Sequence, residues 1–363
     1  MTRIKVLHLL NTIEPSGVGN LLHAQIPYYN HKEMDIYIGY LTGTSILFQD
    51  MKNITLVDFS STTKFTFLSI FHIFRFTRSH KIDIIHTHLI QASLLGRFLS
   101  FILPSVKCVT TRHYAKAKKH KRLINKLEDY TERYSDAIIC ISNYVRTYLL
   151  NLGINKSKLY VMYNAVDLKI FDKYTLKNES EMIIGTVGRL DKQKGIDVLI
   201  NAHAQLVRKF PNLILEIIGD GPHREKLSLL TRELKLENNV RFLGNIPPVL
   251  VREKMVRWKI FILASRWEAF GIVNIEALAL GLPVIASNVE AIPEVILEGV
   301  TGYLIQPDNS DEIYERVSSI LANYEQAKVL GQKGKIMVRE KFSAEGLARN
   351  TAELYQKLVK KHE

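Results

Sequence analysis

The 363-residue chain is poor in cysteine, in long apolar runs and in the motifs that hold metal ions. Cys108 and Cys140 are its two cysteines and both lie in apolar stretches, which excludes a disulfide framework and favours a reducing compartment. No stretch reaches about 18 uninterrupted apolar residues, so no membrane span is predicted. The sequence contains no Asp-x-Asp and no visible cluster of metal ligands, so we expect no metal cofactor.

The N-terminal segment also lacks the pattern of a signal peptide, because His8 and Asn11 interrupt its apolar run too early. We therefore expect a cytoplasmic protein. A hydrophobic fraction of 47% excludes a disordered chain, and the length suits two domains at roughly 100–200 residues each.

Basic residues are in excess, and the excess is uneven. The chain has 49 Lys and Arg against 36 Asp and Glu, a net charge of +13. Residues 1–180 contribute 24 basic and 13 acidic side chains, a net of +11, whereas residues 181–363 contribute 25 and 23. An acidic partner is therefore expected on the N-terminal half, where it would be an anionic lipid surface or a charged acceptor.

Two segments are the candidates for that contact. Residues 112–126 carry seven Lys and Arg without an acid, and residues 64–81 place five phenylalanines among basic side chains. Interleaved cationic and aromatic residues suit the interface of an anionic bilayer, with attachment to the inner face of the plasma membrane. The alternative for residues 64–81 is a helix that packs on the core and exposes a basic face. No nucleic-acid module is recognisable, so no nucleic-acid partner is predicted.

Short apolar runs alternate with helical patterns along the whole chain, which predicts parallel sheets covered on both faces. The predicted strands are 4–10, 35–41, 83–89, 106–111, 136–142, 158–164, 182–188, 213–219, 240–244, 259–265, 283–287 and 302–306. This pattern predicts an α/β fold of two doubly wound, Rossmann-like domains facing across a cleft. The predicted ranges are an N-terminal domain 1–170, a linker 171–181, a C-terminal domain 182–342 and a helix 343–363.

The most informative segment is SRWEAFGIVNIEALALGLPVIAS, residues 265–287. A strand, a glycine turn and a helix start place free N–H groups and a positive dipole end together, which suits an anion. The backbone amides of Phe270, Gly271 and Ile272 are the expected donors. Glu268 before the turn and Glu276 within the helix are placed to accept hydrogen bonds from hydroxyl groups.

A second segment, GTVGRLDKQKGIDVLI at residues 185–200, brings two cations to the end of a predicted strand. Arg189 and Lys194 are placed to hold a diphosphate, the first as a fork and the second as a point charge. Cations in such a loop are otherwise simply solvated.

Together these segments resemble the retaining GT-B glycosyltransferases, in particular glycosyltransferase family 4. The resemblance rests on GRLDKQKG (188–195), GDGP (219–222), SRWEAFGIVNIE (265–276) and IPEVILEGVTGYL (292–304). It implies that the C-terminal domain binds the nucleotide sugar and that the last helix crosses back to the N-terminal domain.

The resemblance also implies roles for the residues of the C-terminal half. Glu268 would contact the transferred sugar and Glu276 the ribose of the nucleotide. Arg189 and Lys194 would neutralise the diphosphate leaving group in place of a metal, and Gly219 would lie against the donor.

In the N-terminal half the resemblance is looser. The loop EPSGVGN has Ser16 and Gly17 where the family usually has two glycines, so Gly17 is a candidate donor contact, although a generic turn glycine fits as well. His113 in VTTRHY matches the family's active-site histidine, which would position the sugar or stabilise charge in the transition state.

The expected activity is therefore hexose transfer, with retention, from a UDP- or GDP-sugar to an acceptor hydroxyl. The expected acceptor is a lipid-linked glycan in bacterial surface polysaccharide synthesis, such as capsule, O-antigen or exopolysaccharide. Transfer to a soluble acceptor and a nonhydrolysing sugar-nucleotide epimerase of the same fold are alternatives. A dinucleotide oxidoreductase is disfavoured, because Leu22 stands where a third glycine would follow Gly17 and Gly19.

Overall fold

The computed structural model describes residues 3–14, 16–43, 47–60, 66–115, 122–177 and 180–360, with the side chains of 66–68 and 122 also left out. The chain forms two compact units. The N-terminal unit comprises residues 1–165 and 344–363, and the C-terminal unit comprises residues 166–343.

A seven-stranded parallel sheet forms the centre of the N-terminal unit, in the order β3-β2-β1-β4-β5-β6-β7. The strands are β1 Ile4–Leu10, β2 Met34–Tyr40, β3 Ile54–Asp58, β4 Ile84–His88, β5 Lys107–Arg112, β6 Ala137–Cys140 and β7 Leu159–Val161. The inner strands are almost fully buried, as continuous apolar runs require when helices cover both faces of a sheet.

The helices of this unit include one from the far end of the sequence. They are α1 Gly17–Gln25, α2 Thr66–His80, α3 Ile90–Ile102, α4 Arg122–Thr131, α5 Asn143–Asn151 and α14 Ala344–Lys360. Short 3-10 turns lie at Ile26–Tyr28, Glu132–Tyr134 and Lys156–Lys158. The Gln25 amide donates to Thr351 Oγ1 at 3.0 Å, and Leu354 and Tyr355 are buried in the same core as β1. The last helix therefore belongs to the N-terminal unit, as the resemblance implies.

The C-terminal unit has a six-stranded parallel sheet in the order β10-β9-β8-β11-β12-β13. Its strands are β8 Ile183–Val187, β9 Ile214–Ile218, β10 Val240–Gly244, β11 Ile260–Leu263, β12 Val284–Ser287 and β13 Gly302–Ile305. Its helices are α6 Leu168–Phe171, α7 Ile196–Lys209, α8 Arg224–Glu233, α9 Pro248–Met255, α10 Ile272–Leu280, α11 Ile292–Val295, α12 Ser310–Ala322 and α13 Tyr324–Lys341. A 3-10 turn spans Lys192–Lys194. Two doubly wound α/β units are thus present, as the strand pattern predicts.

Two details differ from the sequence prediction. Strand β3 was not predicted, because its five residues, ITLVD, lie at the sheet edge and are mostly only half-buried. The units also divide at residue 165 rather than 170, and the segment predicted as a linker lies in the C-terminal unit. Phe171 is 4% exposed, and the Lys177 N–H donates to the Val256 carbonyl at 2.8 Å, so this polar stretch is partly packed.

The packing of helix α2 supports the alternative in which residues 64–81 form a helix that packs on the core. Phe74 and Phe76 pack against the N-terminal core, and Phe71, at 55% exposed, is the phenylalanine of this helix that the structure shows facing outward. Residues 64, 65 and 116–121, together with the side chain of Phe67, lie outside the described residues. None of the described helices combines the length and apolarity that crossing a membrane requires.

Candidate active site

The C-terminal sheet reverses its strand order between β8 and β11. Ligands of doubly wound sheets bind beyond the carboxyl ends of the strands at such a switch point. Gly195 lets the loop after β8 approach the end of β11: it has a φ of +60°, and a Cβ there would lie 2.0 Å from the Ala264 carbonyl oxygen. The two sequence motifs therefore meet at the predicted edge of the sheet.

Lys194 and Glu268 form an ion pair at this edge, with 16% and 12% of their side chains exposed. The Ser265 hydroxyl donates to the same Glu268 oxygen at 3.3 Å. The aliphatic part of Lys194 lies across Gly188, where a Cβ would approach its carbons to 3.2 Å. The structure thus brings together a predicted phosphate ligand and a predicted sugar ligand and pairs them with each other.

Helix α10 begins beside this pair. Gly271 has a φ of +72° at its N-terminus, and no side chain of the described residues caps the first turn. Phe270 is buried against Phe342 with 6.0 Å between the ring centroids, which fixes the turn that contains Gly271. The amides at Gly271 and Ile272 therefore lie at a positive dipole end that is suited to an anion.

Arg189 and Gly219, the other predicted donor contacts in these loops, do not take part in the Lys194–Glu268 ion pair. The Arg189 guanidinium is 67% exposed, and its Nε is 3.6 Å from an Asp191 oxygen, so the guanidinium is largely solvated. Gly219 has a φ of +126°, and a Cβ there would lie 2.0 Å from the Gly188 carbonyl oxygen. A glycine is therefore needed at position 219 for the loops after β8 and β9 to pack together, whether or not this residue also contacts a donor.

Glu276 lies one turn into α10 and is half-buried. Burial raises the pKa of its carboxyl to about 7, against the opposing effect of the Arg252 guanidinium. A carboxyl with this pKa changes its protonation state near neutral pH, and its ionised form is the better acceptor for two hydroxyl groups.

Arg266 is a supporting residue that the sequence did not reveal. Its guanidinium donates to both Asp197 oxygens at 3.0 and 2.8 Å and to Asp308 at 2.6 Å. It also donates to the Lys192 carbonyl at 2.9 Å, and its N–H donates to the Gln193 carbonyl at 2.7 Å. The loop that carries Glu268 is therefore tied to the loop that carries Lys194. Arg266 lies directly before Trp267 and Glu268, which could have marked it as part of the site. Its hydrogen-bond partners are distant in sequence, so the sequence alone does not show what it binds.

The N-terminal sheet has its own switch point, between β1 and β4. Gly17 is the first residue of α1, with open space around a Cβ, whereas a Cβ on Gly19 would lie 2.8 Å from Leu47. Gly19 is therefore the more closely packed of the two glycines, and donor contact by Gly17 stays a prediction. His113 directly follows β5 and is half-buried, and burial lowers its pKa to about 4.

His113 lies beside histidines that come from different strands and are separated from it in the sequence. His8, His86 and His88 each have a ring nitrogen within 4.8 Å of the others, and His113 Nε2 lies 3.4 Å from His88 Nδ1. These three nitrogens are close enough together to hold a metal ion, which their spacing in the sequence did not reveal, and the expected absence of a metal cofactor stays a prediction. Both nitrogens of His86 are nevertheless engaged, with Tyr355 and Thr111, and His8 Nδ1 faces His88 Nε2 at 3.2 Å, so most of the ligand positions are already used by protein contacts.

Comparison with known proteins matches both units to families. A family model described as Glycosyl transferases group 1 matches residues 168–337, and one described as Glycosyltransferase Family 4 matches residues 52–170. The chain belongs to glycosyltransferase family 4. It is accordingly a hexosyltransferase, as the motifs predict, and the epimerase alternative loses its support.

Individual relatives are similar to the chain over most of its length. The chain is 29% identical over 350 residues to an uncharacterised glycosyltransferase of Methanocaldococcus jannaschii, covering 94% of this chain and 95% of the relative. It is 33% identical over 259 residues to an uncharacterised 41.2 kDa protein in the cps region of Klebsiella pneumoniae, covering 66% and 70%. Among solved structures, HepE of Anabaena in complex with UDP and glucose has a TM-score of 0.85 at 20% identity, over 98% of this chain and all of that one. The fold is therefore that of a GT-B glycosyltransferase.

Proposed function

We propose that the protein transfers a hexose from a UDP- or GDP-sugar to an acceptor hydroxyl with retention at the anomeric carbon. The observation that carries the proposal is the Lys194–Glu268 pair beside the uncapped start of α10, at the switch point of the C-terminal sheet. The complex of HepE with UDP and glucose supports a nucleotide sugar as donor.

In the proposed reaction, the bond between the anomeric carbon and the diphosphate oxygen breaks while the acceptor oxygen bonds to the same face. The acceptor proton passes to the departing diphosphate. Negative charge therefore develops on the diphosphate, where Lys194, Arg189 and the first amides of α10 would stabilise it electrostatically. These cations would supply the charge that a divalent metal supplies elsewhere.

The ion pair suggests how the donor is accommodated. An arriving diphosphate would offer Lys194 a second and stronger anionic partner than Glu268. Glu268 would then be released to accept hydrogen bonds from hydroxyl groups of the sugar, while Ser265 continues to orient it. Glu276, one turn further into α10, would bind the ribose.

The proposed acceptor is a lipid-linked glycan at the inner face of the plasma membrane. Its support is a set of exposed apolar side chains on two contacting helices of the N-terminal unit, here called the α3–α4 apolar surface. The set comprises Phe98, Phe101 and Ile102 of α3 with Leu123, Ile124, Leu127 and Tyr130 of α4. Phe101 and Leu123 are 79% and 84% exposed, an unusual exposure for large apolar side chains on two contacting helices.

Charge supports a lipid surface as the partner of the α3–α4 apolar surface. The N-terminal unit holds 25 Lys and Arg against 13 Asp and Glu, a net of +12, and the basic segment 112–126 leads into α4. Arg112 does not contribute to this surface charge, because it is 1% exposed and forms ion pairs with Glu128 and Asp129. Apolar side chains beside a cationic segment fit an anionic bilayer interface. The relative in the cps region of Klebsiella pneumoniae supports a role in surface polysaccharide synthesis.

The donor and the reaction are tested together. Thermal-shift screening of UDP- and GDP-hexoses should identify a stabilising donor, and transfer to a lipid-diphosphate sugar should then release the nucleoside diphosphate. We expect transfer to survive a chelator. Consumption of donor into an isomeric sugar nucleotide without acceptor would instead indicate the epimerase reaction.

Liposome flotation separates the two candidate membrane contacts. The double variant Phe101→Ser, Leu123→Ser should lose binding to anionic vesicles, whereas Phe71→Ser on α2 should retain it, because the surrounding phenylalanines of α2 pack inward. Equal binding by all three proteins, or equal binding to neutral vesicles, would contradict the α3–α4 apolar surface as a lipid contact.

A further inference from the structure

A row of three histidine rings lies at the switch point of the N-terminal unit. His8 Nδ1 is 3.2 Å from His88 Nε2, and His88 Nδ1 is 3.4 Å from His113 Nε2. His8 and His88 are 0% and 4% exposed, whereas His113 is half-buried. The row therefore runs from the core of the unit outward to the candidate active-site histidine.

Each ring in the row is neutral at physiological pH. Burial lowers the pKa of His8 to about 3 and that of His113 to about 4, and burial with the neighbouring histidines takes the pKa of His88 well below 6.5. A neutral imidazole has one N–H donor and one bare nitrogen acceptor. Since every link needs one of each, the row has two arrangements: all N–H groups point towards His113, or all point towards His8.

The buried end of the row distinguishes the two arrangements. His8 Nε2 is buried and has no hydrogen-bond partner among the described residues. If the N–H groups pointed inward, this atom would carry a proton and become an orphaned buried donor, which folded proteins rarely tolerate. If they point outward, the proton of each ring is on Nδ1 and only a bare nitrogen is left at the buried end.

His86 holds the middle of the row in place. Its ring stacks on that of His88 with 4.4 Å between centroids, and its two nitrogens bond to the hydroxyls of Tyr355 and Thr111. Tyr355 belongs to α14, so the last helix of the chain contributes to the orientation of the row.

We propose that His8 and His88 are positioning residues that fix the tautomer of His113, with its proton on Nδ1 and its Nε2 occupied as an acceptor. His113 then presents a neutral N–H donor to an oxygen of the sugar or of the departing diphosphate. It does not serve as a general base through Nε2, because that lone pair accepts the N–H of His88. The identity of the oxygen rests on the proposed function, whereas the tautomer does not.

The tautomer is directly measurable in the donor-free protein. Long-range ¹H–¹⁵N correlation on the full chain labelled with ¹⁵N-histidine, with His113 assigned by its loss in His113→Gln, should show a protonated Nδ1 and a bare Nε2. A protonated Nε2 on His113, or a doubly protonated ring at pH 7, would overturn the proposal. So would a stoichiometric transition metal in the purified protein, because His8 and His88 would then share a metal rather than a proton.

Two amide variants of His88 separate positioning from packing. Asn places its amide near the Nδ1 location, which faces His113, whereas Gln places it near the Nε2 location, which faces His8. We expect His88→Asn to retain the His113 tautomer and most of kcat. We expect His88→Gln to mix the tautomers and lower kcat about tenfold, with a smaller change in donor KM. Equal effects of the two amides on tautomer and kcat would reduce His88 to a structural residue.

Two variants of His8 test the same tautomer without a substitution at position 88, in case the His88 variants do not fold. His8→Asn keeps a donor that faces His88 Nε2, so the His113 tautomer should be preserved. His8→Leu makes His88 Nε2 the buried end of a shorter row, where a bare nitrogen is again favoured over an orphaned N–H, so the same tautomer should persist. A reversed His113 tautomer in either variant would contradict the proposal. Failure of the proposed function is distinguishable, because absence of transfer would leave the NMR result intact, and active transfer with a reversed tautomer would refute this inference alone.

Discussion

The two units have the same doubly wound plan but different electrostatics. The N-terminal unit has a net charge of +12, a buried histidine row and an exposed apolar surface, whereas the C-terminal unit has a net charge of +1 and an ion pair at the start of a helix. The C-terminal switch point is therefore equipped for an anion by local charges. The N-terminal switch point offers neutral hydrogen-bonding groups, and the positive charge of its unit is available to other partners.

This contrast divides the proposed reaction into two tasks. The C-terminal unit would stabilise the diphosphate through charge, and the N-terminal unit would orient the sugar and the acceptor without placing another cation beside the reacting carbon. Three experiments challenge that division, in decreasing order of expected effect.

The largest effect is expected at Lys194. Replacing it with Ala removes the positive charge beside Glu268 and leaves that carboxylate without its cation, so turnover should fall by about two or more orders of magnitude. Steady-state transfer kinetics with a saturating donor measure the loss.

Lys192→Ala is the matched control, because Lys192 lies in the same turn with an exposed side chain. It should keep nearly full turnover. Near wild-type transfer by Lys194→Ala, or equal losses in the two variants, would remove the charge-stabilising role of the C-terminal unit.

Acidification should destabilise the N-terminal unit first. The pKa values of His8, His86, His88 and His113 lie below 6.5 because the rings are buried, so the unfolded chain binds protons that the folded unit does not. Stability is thus lost as the pH falls from about 6.5 towards about 4, by about 1 kcal/mol per pH unit for each fully buried ring.

The C-terminal unit carries an opposing group. The raised pKa of Glu276 means that its folded form takes up a proton between about pH 7 and 4.5, which adds stability on acidification, while His203, with a pKa lowered to about 4, acts in the other direction.

Hydrogen exchange by mass spectrometry at pH 7 and 5 measures the opening of each unit separately. His8→Gln should reduce the acid sensitivity of the N-terminal unit and the exposed His72→Gln should not; simultaneous opening of both units would contradict the prediction.

The smallest effect concerns donor affinity. If the ionised Glu276 carboxylate accepts hydroxyl groups of the ribose, donor KM should rise several-fold as the pH falls below about 7, with kcat less affected. Glu276→Gln should show a raised KM that no longer depends on this ionisation. An unchanged KM, or a pH profile that persists in the variant, would remove Glu276 from the donor site.

Sequence reasoning anticipated the C-terminal site better than the N-terminal one, for a physical reason. Glu268, Gly271 and Ile272 lie within one strand-turn-helix segment, so their proximity follows from local geometry, and Lys194 follows a strand of the same sheet. The histidine row joins β1, β4 and the residue after β5, and no local pattern reveals that these side chains share one face. Arg266 was missed for the same reason, because Asp197 and Asp308 are far from it in sequence.

Surface contacts were the hardest to predict. Five phenylalanines within residues 64–81 predicted a membrane-facing helix, yet Phe74 and Phe76 pack inward. Helices α3 and α4 instead expose Phe101 and Leu123. Composition records how many aromatic residues a helix has, but only the packing of its neighbours decides which of them remain exposed.

The anomeric configuration of the transferred sugar shows directly whether the protein is a retaining hexosyltransferase. The protein, the donor selected by thermal shift and a lipid-diphosphate acceptor would be combined, and the coupling at the anomeric carbon of the product would be measured by NMR. We expect a glycoside with the configuration of the donor, formed by the wild-type protein and lost with Lys194→Ala. An inverted glycoside, or an isomerised sugar nucleotide formed without acceptor, would contradict retaining hexose transfer.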